Sequence, residues 1–419
     1  MDRQDEEMGG ASQAVGEFKV NGKKQNSLPS ICIDGRLLDR DMTGVGHYAA
    51  RLAETLIRHG QPVFRLDAVH PIENSTGGLG RVMRYARAAM PGVRTVARGE
   101  ARLGDAYAGR LTGRDLFRQA YLHFKFRGRL MRLRCPGEPG IMHWTYPLPL
   151  YLEGWRNIYT VHDVIPIRSQ HLSPVDGGRL RRLLDRIAER ADRLVTVSEN
   201  VRTDLVDLLE CPPALVTACL QVGDMDAVQH GGTSADHGGH FLYCGAIEPR
   251  KNLGRLVAAY RASGSVRPFL IVGEPGWRAD EVMGAIGDTP GVHIMPFQSR
   301  EALRELMRGA RAFFFPSLAE GFGLPVAEAM GLGVPILASS IAVLQEVAGE
   351  GALFVDPLDE AAMATAIMKL DSDDALCAQL GALGAIKAVA YQSGSYYRRL
   401  HGLYQDVARG AGEPRRGEQ

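Results

Sequence analysis

The sequence predicts an α/β protein of two similar halves, and three observations carry that prediction. From residue 31 onward, short apolar runs alternate with segments of helical apolar spacing, the pattern of parallel strands joined by crossover helices. The alternation begins afresh at Phe241. Between the halves, Asp224 to His240 is dense in Gly, Ser, His and Asp and reads as a loop or linker. The 419 residues suffice for two domains of ordinary size. The expected division is an extension at 1–29, a first domain at 30–220, a linker at 221–240, a second domain at 241–390 and a terminal helix and tail at 391–419.

In the first half, Ile31-Cys-Ile-Asp-Gly35 reads as a strand ending in a turn, Thr43-Gly-Val-Gly46 as a loop, His47 to Arg58 as a helix and 62–69 as a second strand. Short strands recur at 140–143, 157–160 and 193–197, with a helix over 178–192. In the second half the strands are 241–244, 268–272, 291–295, 312–315, 334–338 and 351–355. The helices are 252–262, 279–286, 300–309, 324–331 and 359–371. The segment 374–406 is helical and aromatic, and could cross back onto the first half. Two such units joined by a linker make a cleft, the usual place for a ligand.

Composition narrows the function. The formal charge of +1 gives no global signature of nucleic-acid binding. Six cysteines form neither a CxxC pair nor zinc-ligand spacing. They read as small core hydrophobes of a reducing compartment. No apolar run reaches the length of a membrane-spanning helix. Residues 1–29 are polar, without the apolar core of a signal peptide, and the tail from Ala408 is rich in Gly, Arg and Glu; both are expected to be disordered. The stretch 81–134 is distinctive, with fourteen Lys or Arg against three Asp or Glu. Met83, Tyr85, Met90, Leu116, Phe117, Tyr121, Phe124, Phe126 and Leu130 are interleaved with those charges. Such a face suits an anionic membrane surface, and the segregation of charge favours that over the alternative, a solvated basic face over ordinary core.

The residues that point to chemistry cluster in the second half. Phe315-Pro-Ser-Leu-Ala-Glu-Gly-Phe-Gly-Leu-Pro-Val-Ala-Glu-Ala-Met330 runs from a strand through a tight turn into a helix. Pro325 fits the first turn, where its missing N–H costs nothing. The backbone amides of Phe322, Gly323 and Leu324 would then meet a ligand at the positive end of the helix. Glu320 and Glu328 repel phosphate but suit hydroxyl groups, so the combination suggests a diphosphate joined to a sugar. Glu248-Pro-Arg-Lys-Asn252 follows the strand 241–244 and Gly245. Arg250 and Lys251 could neutralise a leaving diphosphate, although a charged loop with Asn252 as a helix cap is an equal reading of that spacing. Ile271-Val-Gly-Glu-Pro-Gly-Trp277 places Gly273 and Glu274 after a strand, where they could line a nucleotide pocket. In the first half, Gly44 and Gly46 could let a loop lie near a phosphate, and His162 with Asp163 ends a strand, the usual ligand-facing edge of an open α/β sheet. His143 ends the preceding strand and could border an acceptor or simply pack. None of the glycine runs makes a dinucleotide fingerprint, which argues against a nicotinamide oxidoreductase.

Pro316-Ser-Leu-Ala-Glu-Gly-Phe-Gly-Leu-Pro-Val-Ala-Glu-Ala-Met-Gly-Leu-Gly-Val-Pro335 resembles the signature of the retaining glycosyltransferases of family 4. Glu248–Asn252, Val272–Trp277, Ala338-Ser-Ser340, Leu344-Gln-Glu-Val347 and Phe354-Val-Asp-Pro357 extend the resemblance. In the first half, Asp34-Gly-Arg36, Thr43–Gly46, Val161-His-Asp163 and Val197-Ser-Glu-Asn200 are similar to the same family. The resemblance covers roughly 31–375, and its first half is most like bacterial GDP-mannose-dependent mannosyltransferases of exopolysaccharide or O-antigen assembly. The stretch Cys219–Asp224 matches the family's turn before the second domain only loosely.

The resemblance implies the GT-B fold, two Rossmann-like α/β domains facing across a cleft. It implies that Glu320 holds hydroxyls of the donor sugar and Glu328 the nucleoside ribose, that Arg250 and Lys251 grip the diphosphate, that Gly46 lies near the phosphates, and that His162 sits beside the transferred sugar. It implies retention of configuration without an essential metal or a cofactor beyond the donor nucleotide sugar, GDP-mannose by the subgroup likeness. It also implies a lipid-pyrophosphate-linked oligosaccharide acceptor at the inner face of a membrane, and a cytoplasmic, peripherally bound enzyme. Two rivals remain. One is an enzyme using a UDP- or ADP-linked sugar and a soluble acceptor; the other is a catalytically silent binding scaffold.

Overall fold

A computed structural model of the protein describes residues 28–38, 44–69, 90, 92–100, 104–223 and 239–410. The expected disorder at 1–27, the basic residues 81–89, nearly all of the linker at 224–238 and the tail at 411–419 lie outside the described residues.

The first domain contributes β1 (Ile31–Asp34), β2 (Val63–Val69), β3 (Val93–Thr95), β4 (Ala97–Glu100), β5 (Gly109–Arg114), β6 (Met131–Arg134), β7 (Ile141–Trp144), β8 (Leu150–Leu152), β9 (Arg156–Val161), β10 (Arg193–Thr196) and β11 (Val216–Ala218). Eight of these form one sheet in the order β11-β10-β9-β7-β1-β2-β5-β4. All its pairs are parallel except β4 with β5. The remaining three make a small parallel sheet, β3-β6-β8. The second domain adds β12 (His240–Cys244), β13 (Phe269–Val272), β14 (Val292–Met295), β15 (Ala310–Phe315), β16 (Ile336–Ser339) and β17 (Ala352–Val355). They form a wholly parallel sheet in the order β14-β13-β12-β15-β16-β17. The order reverses beside β12 and β15, so a crevice opens at their C-terminal ends.

Burial follows from layering. The strands β1, β7, β15 and β16 are mostly apolar and buried along their length, and β12 is buried from Phe241 to Cys244, as expected of strands covered by helices on both faces. The edge strand β14 has no fully buried residue, and keeps His293 and Ile294 exposed. Helices start where caps allow. Asp359 accepts from the Ala362 amide at the head of helix Glu360–Ser372, and Ser198 accepts from the Val201 amide at the head of helix Glu199–Leu209, each satisfying an amide that would otherwise lack a partner.

Two expectations change. The first helix begins at Gly44, not His47, so Gly44 and Gly46 belong to its opening turn and not to a loop. In the basic stretch, the strands β3 to β6 and a helix at Leu116–Arg127 replace a single amphipathic face. Leu116, Phe117 and Phe124 are buried in the first-domain core, because a short strand–helix–strand unit must turn its apolar side to the sheet it packs on. Of the aromatic and apolar residues named for that stretch, Met90 and Phe126 are exposed.

The last helix, Ser393–Arg409, contacts the first domain directly. Arg399 donates to the Leu220 carbonyl at 2.8 Å and Arg156 donates to the Gly410 carbonyl at 2.9 Å. His59 and Tyr397 stack with centroids 4.0 Å apart.

Candidate active site

The cleft between the domains has a volume of about 570 Å³. Its second-domain wall is built on the C-terminal ends of β12, β13 and β15. Of the residues singled out in the sequence, Gly44, His162, Gly245, Arg250, Lys251, Gly273, Glu274, Glu320, Phe322, Gly323, Leu324 and Glu328 all line it. Gly46 does not: it is buried within the first helix, while Gly44 and Val45 face the cleft.

The centre of the wall is a cluster of four charges. Glu320 takes Lys251 Nζ at 2.6 Å and Arg250 Nη1 at 2.9 Å. Arg250 also reaches Glu248 at 2.7 Å and donates to the Ala319 carbonyl at 2.8 Å. The Arg250 carbonyl in turn accepts from the Leu318 amide at 2.8 Å, stitching the 248–252 turn to the 316–323 turn. Lys251 Nζ lies 4.7 Å from the centre of the Phe315 ring, a favourable placement for a cation. Burial pushes the Glu320 carboxyl up, but Lys251 and Arg250 outweigh it and hold the group down at about 2. Burial lowers the Lys251 ammonium; Arg250 is raised, because Glu320 and Glu248 overcome its own burial. Glu320 is therefore an ionised acceptor at any physiological pH. It holds two cations whose positions are fixed before a ligand arrives, which is the preorganisation that stabilises developing charge. Asn252 is no cap: its backbone is left-handed at φ 61°, and its amide donates to the carbonyls of Pro316 and Pro357 at 3.2 and 2.6 Å. It ties the two turns together instead.

After Glu320 the chain enters helix Leu324–Gly331 through Gly323, at φ 98°, a conformation that glycine adopts without strain. Pro325 stands in the first turn, as the sequence implied. Phe322 is buried edge-on against Tyr391, with centroids 5.3 Å apart, so its backbone and not its ring serves the cleft. Glu328 lies on the same helix and lines the cleft near Cys244, whose thiol is pushed up by burial and by that carboxylate. Gly245 and Gly273 end the neighbouring strands β12 and β13. A side chain at Gly273 would meet the Gly245 carbonyl at 1.9 Å, so this glycine serves strand-to-strand packing at the cleft floor. Glu274 accepts from the Phe297 amide at 3.0 Å and secures the next loop.

Opposite stands His162, at the end of β9. Its Nε2 donates to the Thr145 carbonyl at 2.8 Å, and its ring packs edge-on against Tyr48 at 4.8 Å. Burial pushes this imidazole down to about 4, so it is neutral at pH 7. The Thr145 amide donates to Asp34 at 2.6 Å. Burial raises the Asp34 carboxyl to about 6, and it likewise raises Asp163. His143 is not at the cleft: it is fully buried, between Tyr404 and Thr160.

The walls touch at named points. Ser198 donates to the Gly321 carbonyl at 2.8 Å. Glu346 accepts from the amides of Glu199 and Asn200 at 2.7 and 2.9 Å, and from the Asn200 side chain at 2.8 Å. Thus a second-domain carboxylate caps a first-domain helix. The sequence reading noted Leu344-Gln-Glu-Val347 but gave Glu346 no role. It also passed over Phe297, Gln298, Arg300, Leu303, Arg304 and Met307, which line the cleft from the loop after β14 and helix Arg300–Arg308. The strong amphipathicity of that helix, with only Met307 fully buried, was the available signal. Among the described residues, no group of three or more His, Cys, Asp or Glu is placed to hold a metal ion.

Comparison with known proteins agrees with this architecture. Residues 232–385 match the model for "Glycosyl transferases group 1", and residues 42–218 match "Glycosyltransferase Family 4". The chain is 30% identical over 244 residues to an O-antigen chain mannosyltransferase B of Escherichia coli, covering 54% of this chain and 64% of that protein. It is 26% identical over 263 residues to a D-inositol 3-phosphate glycosyltransferase of Mycobacteroides abscessus, covering 56% of this chain and 59% of that protein. The match therefore spans less than two thirds of either relative. A sucrose-phosphate synthase from Thermosynechococcus elongatus shares the fold at TM-score 0.66 and 19% identity, over 91% of this chain and 100% of that one. The fold is that of the GT-B glycosyltransferases, and the two family models together match most of the chain. Within that class the chain is related distantly to bacterial mannosyltransferases and other glycosyltransferases.

Proposed function

We propose that the protein transfers a hexosyl group from a nucleotide sugar to a hydroxyl acceptor, with retention of configuration. The observation that carries this reading is the cluster of Glu320, Arg250 and Lys251 beside the head of helix Leu324–Gly331, facing His162 across the cleft. The amides at that helix start and the two cations suit a diphosphate. Glu320, ionised and acceptor-only, suits sugar hydroxyls; Glu328, further along the helix, suits a ribose diol. His162 donates through Nε2 to the Thr145 carbonyl, so its neutral ring offers the Nδ1 lone pair as an acceptor for a hydroxyl. In this scheme the bond between the anomeric carbon and the diphosphate oxygen breaks as the acceptor oxygen bonds to the same face of that carbon. The departing phosphate takes the acceptor's proton, while Arg250 and Lys251 stabilise its charge.

Mannose from GDP-mannose is one donor reading, supported by the mannosyltransferase relatives. A different nucleotide sugar with a soluble acceptor is the second. It is favoured by the burial of Leu116, Phe117 and Phe124, which removes much of the apolar side from the proposed membrane-binding stretch 81–134. The relative named for D-inositol 3-phosphate supports it as well. Among the described residues no helix is long and apolar enough to cross a membrane; a lipid-linked acceptor would be reached from the surface, through the basic residues that remain. A calorimetric screen against GDP, UDP and ADP and their hexose conjugates tests the proposal. Binding of one nucleotide that Glu328→Ala weakens, with turnover that Glu320→Ala reduces more than nucleotide binding, is the expected result. Failure to bind any of them refutes it, and binding without donor turnover favours the silent scaffold. Flotation with anionic vesicles separates the lipid-linked acceptor from the soluble one.

A further inference from the structure

Behind His162, on the side away from the cleft, runs a chain of buried polar groups that the transfer scheme does not use. Tyr404, on the terminal helix Ser393–Arg409, places its hydroxyl 2.7 Å from His143 Nδ1. The other ring nitrogen, Nε2, is 2.9 Å from Thr160 Oγ1, and the same Oγ1 is 2.9 Å from the Tyr48 hydroxyl. Tyr404, His143 and Thr160 are fully buried and Tyr48 is 2% exposed. The ring of Tyr48 is the one that packs edge-on against His162. Four side chains from the first helix, β7, β9 and the terminal helix thus form one continuous path.

From these contacts we infer that the terminal helix is a positioning element for His162, acting through Tyr404, His143, Thr160 and Tyr48. A neutral imidazole has one donor and one acceptor nitrogen, so the proton on His143 orders the hydrogen bonds on both sides of it. Each group is out of reach of water, so deleting any partner leaves a buried polar atom unsatisfied. Finally, the Tyr48 ring is pinned at its far end by Thr160, and a pinned ring is what holds the imidazole in one orientation while Thr145 fixes its Nε2–H. A core needing only cohesion would be served as well by apolar side chains; a continuous polar path specifies orientation. The terminal helix reaches the first domain only after the chain has traversed the second, so its docking state is reported at His162.

The functional weight of the inference rests on the proposed role of His162, and the test separates the two. Full-length protein labelled with ¹⁵N-histidine is compared with Tyr404→Phe and Tyr48→Phe by long-range ¹H–¹⁵N spectra, with His162→Gln used for assignment. The two variants lie at opposite ends of the path, so a folding defect in one leaves the other informative. Wild type is expected to show His162 as a single Nε2–H tautomer, with its resonances shifted or broadened in both variants. His162 resonances identical to wild type in a folded variant overturn the inference. Turnover of the nucleotide sugar, GDP-mannose as first probe and UDP-glucose as second, then reads the consequence. Tyr404→Phe should lower kcat about tenfold with KM within about twofold, and add nothing in a His162→Ala background. Equal losses in both backgrounds overturn the coupling. If His162→Ala leaves turnover intact while the spectra respond, the assigned role of His162 fails and the positioning network stands.

Discussion

At Gly321 the two walls of the cleft meet backbone to backbone. A methyl group there would stand 2.1 Å from the His162 carbonyl oxygen, 3.1 Å from its carbon and 3.2 Å from Asp163 Cβ. The nearest of these atoms are backbone, so no side chain can swing aside. Ordinary contact begins near 3.4 Å, so Gly321→Ala must drive the walls apart by about 1.3 Å. Gly321 is not among the residues at positive φ, so the substitution adds no strain of its own. Overpacking of this kind costs about 1–3 kcal/mol, and the hydrogen bond from Ser198 would be stretched as well. The relief available is a small opening of the cleft, so thermal stability should fall by only a few degrees. Catalysis should suffer more, because Glu320, the adjacent residue, would move relative to His162. A misplacement of about 1 Å costs roughly 10²-fold in rate, equivalent to about 2.7 kcal/mol. Calorimetry should show nucleotide binding within about threefold of wild type, while steady-state turnover of the nucleotide sugar falls by roughly two orders of magnitude. Turnover within threefold of wild type would refute the claim that this approach of the walls sets the reacting geometry.

Three further outcomes follow from the same contacts. Gly273→Ala places a methyl 1.9 Å from the Gly245 carbonyl; it should lower stability to denaturant by about 1–3 kcal/mol, and an unchanged midpoint in urea would contradict the tight packing of β12 on β13. Glu346→Gln removes the charge that caps helix Glu199–Leu209; stability should drop by about 1 kcal/mol, less at high salt, and small-angle scattering should detect a more open chain if this contact holds the domains together. His143 is buried neutral, with burial pushing its ring down to about 3. The unfolded state then takes up the proton first, near pH 6.5, so this stability is present above 6.5 and is lost as pH falls toward 3. Between pH 7.5 and pH 5 the loss from this one group should be about 2 kcal/mol, read as the difference in pH dependence between wild type and His143→Asn; equal slopes would show that His143 is not the group concerned.

Much of the second-domain wall of the cleft was legible because its pattern is local in sequence. The run from Phe315 to Met330 contains a strand, a turn, a proline at a helix start and two carboxylates, and each step follows from backbone preferences of the residues themselves. Glu248 to Lys251 was legible for the same reason, as a charged turn after an apolar strand. The stretch 81–134 was harder to read. Its charge count is a property of composition, but whether Leu116, Phe117 and Phe124 meet lipid or core depends on what packs over them. Gly46 was misplaced because a glycine pair reads equally as a loop or as the opening of a helix, and neighbouring structure decides.

The sequence by itself determined the alternation that makes two largely parallel sheets and the pairing of basic and acidic turns with a helix start. These follow from periodicity and turn chemistry acting over a few residues. Only the tertiary structure decided which charges meet and what they hold. Glu320 binds Lys251, 69 residues away along the chain, together with its neighbour Arg250, and so stays ionised despite burial. His162 is neutral because folding removes water from it, and Glu346 finds a helix start 147 residues away. Desolvation and long-range approach are properties of the closed chain in space, and no local pattern encodes them.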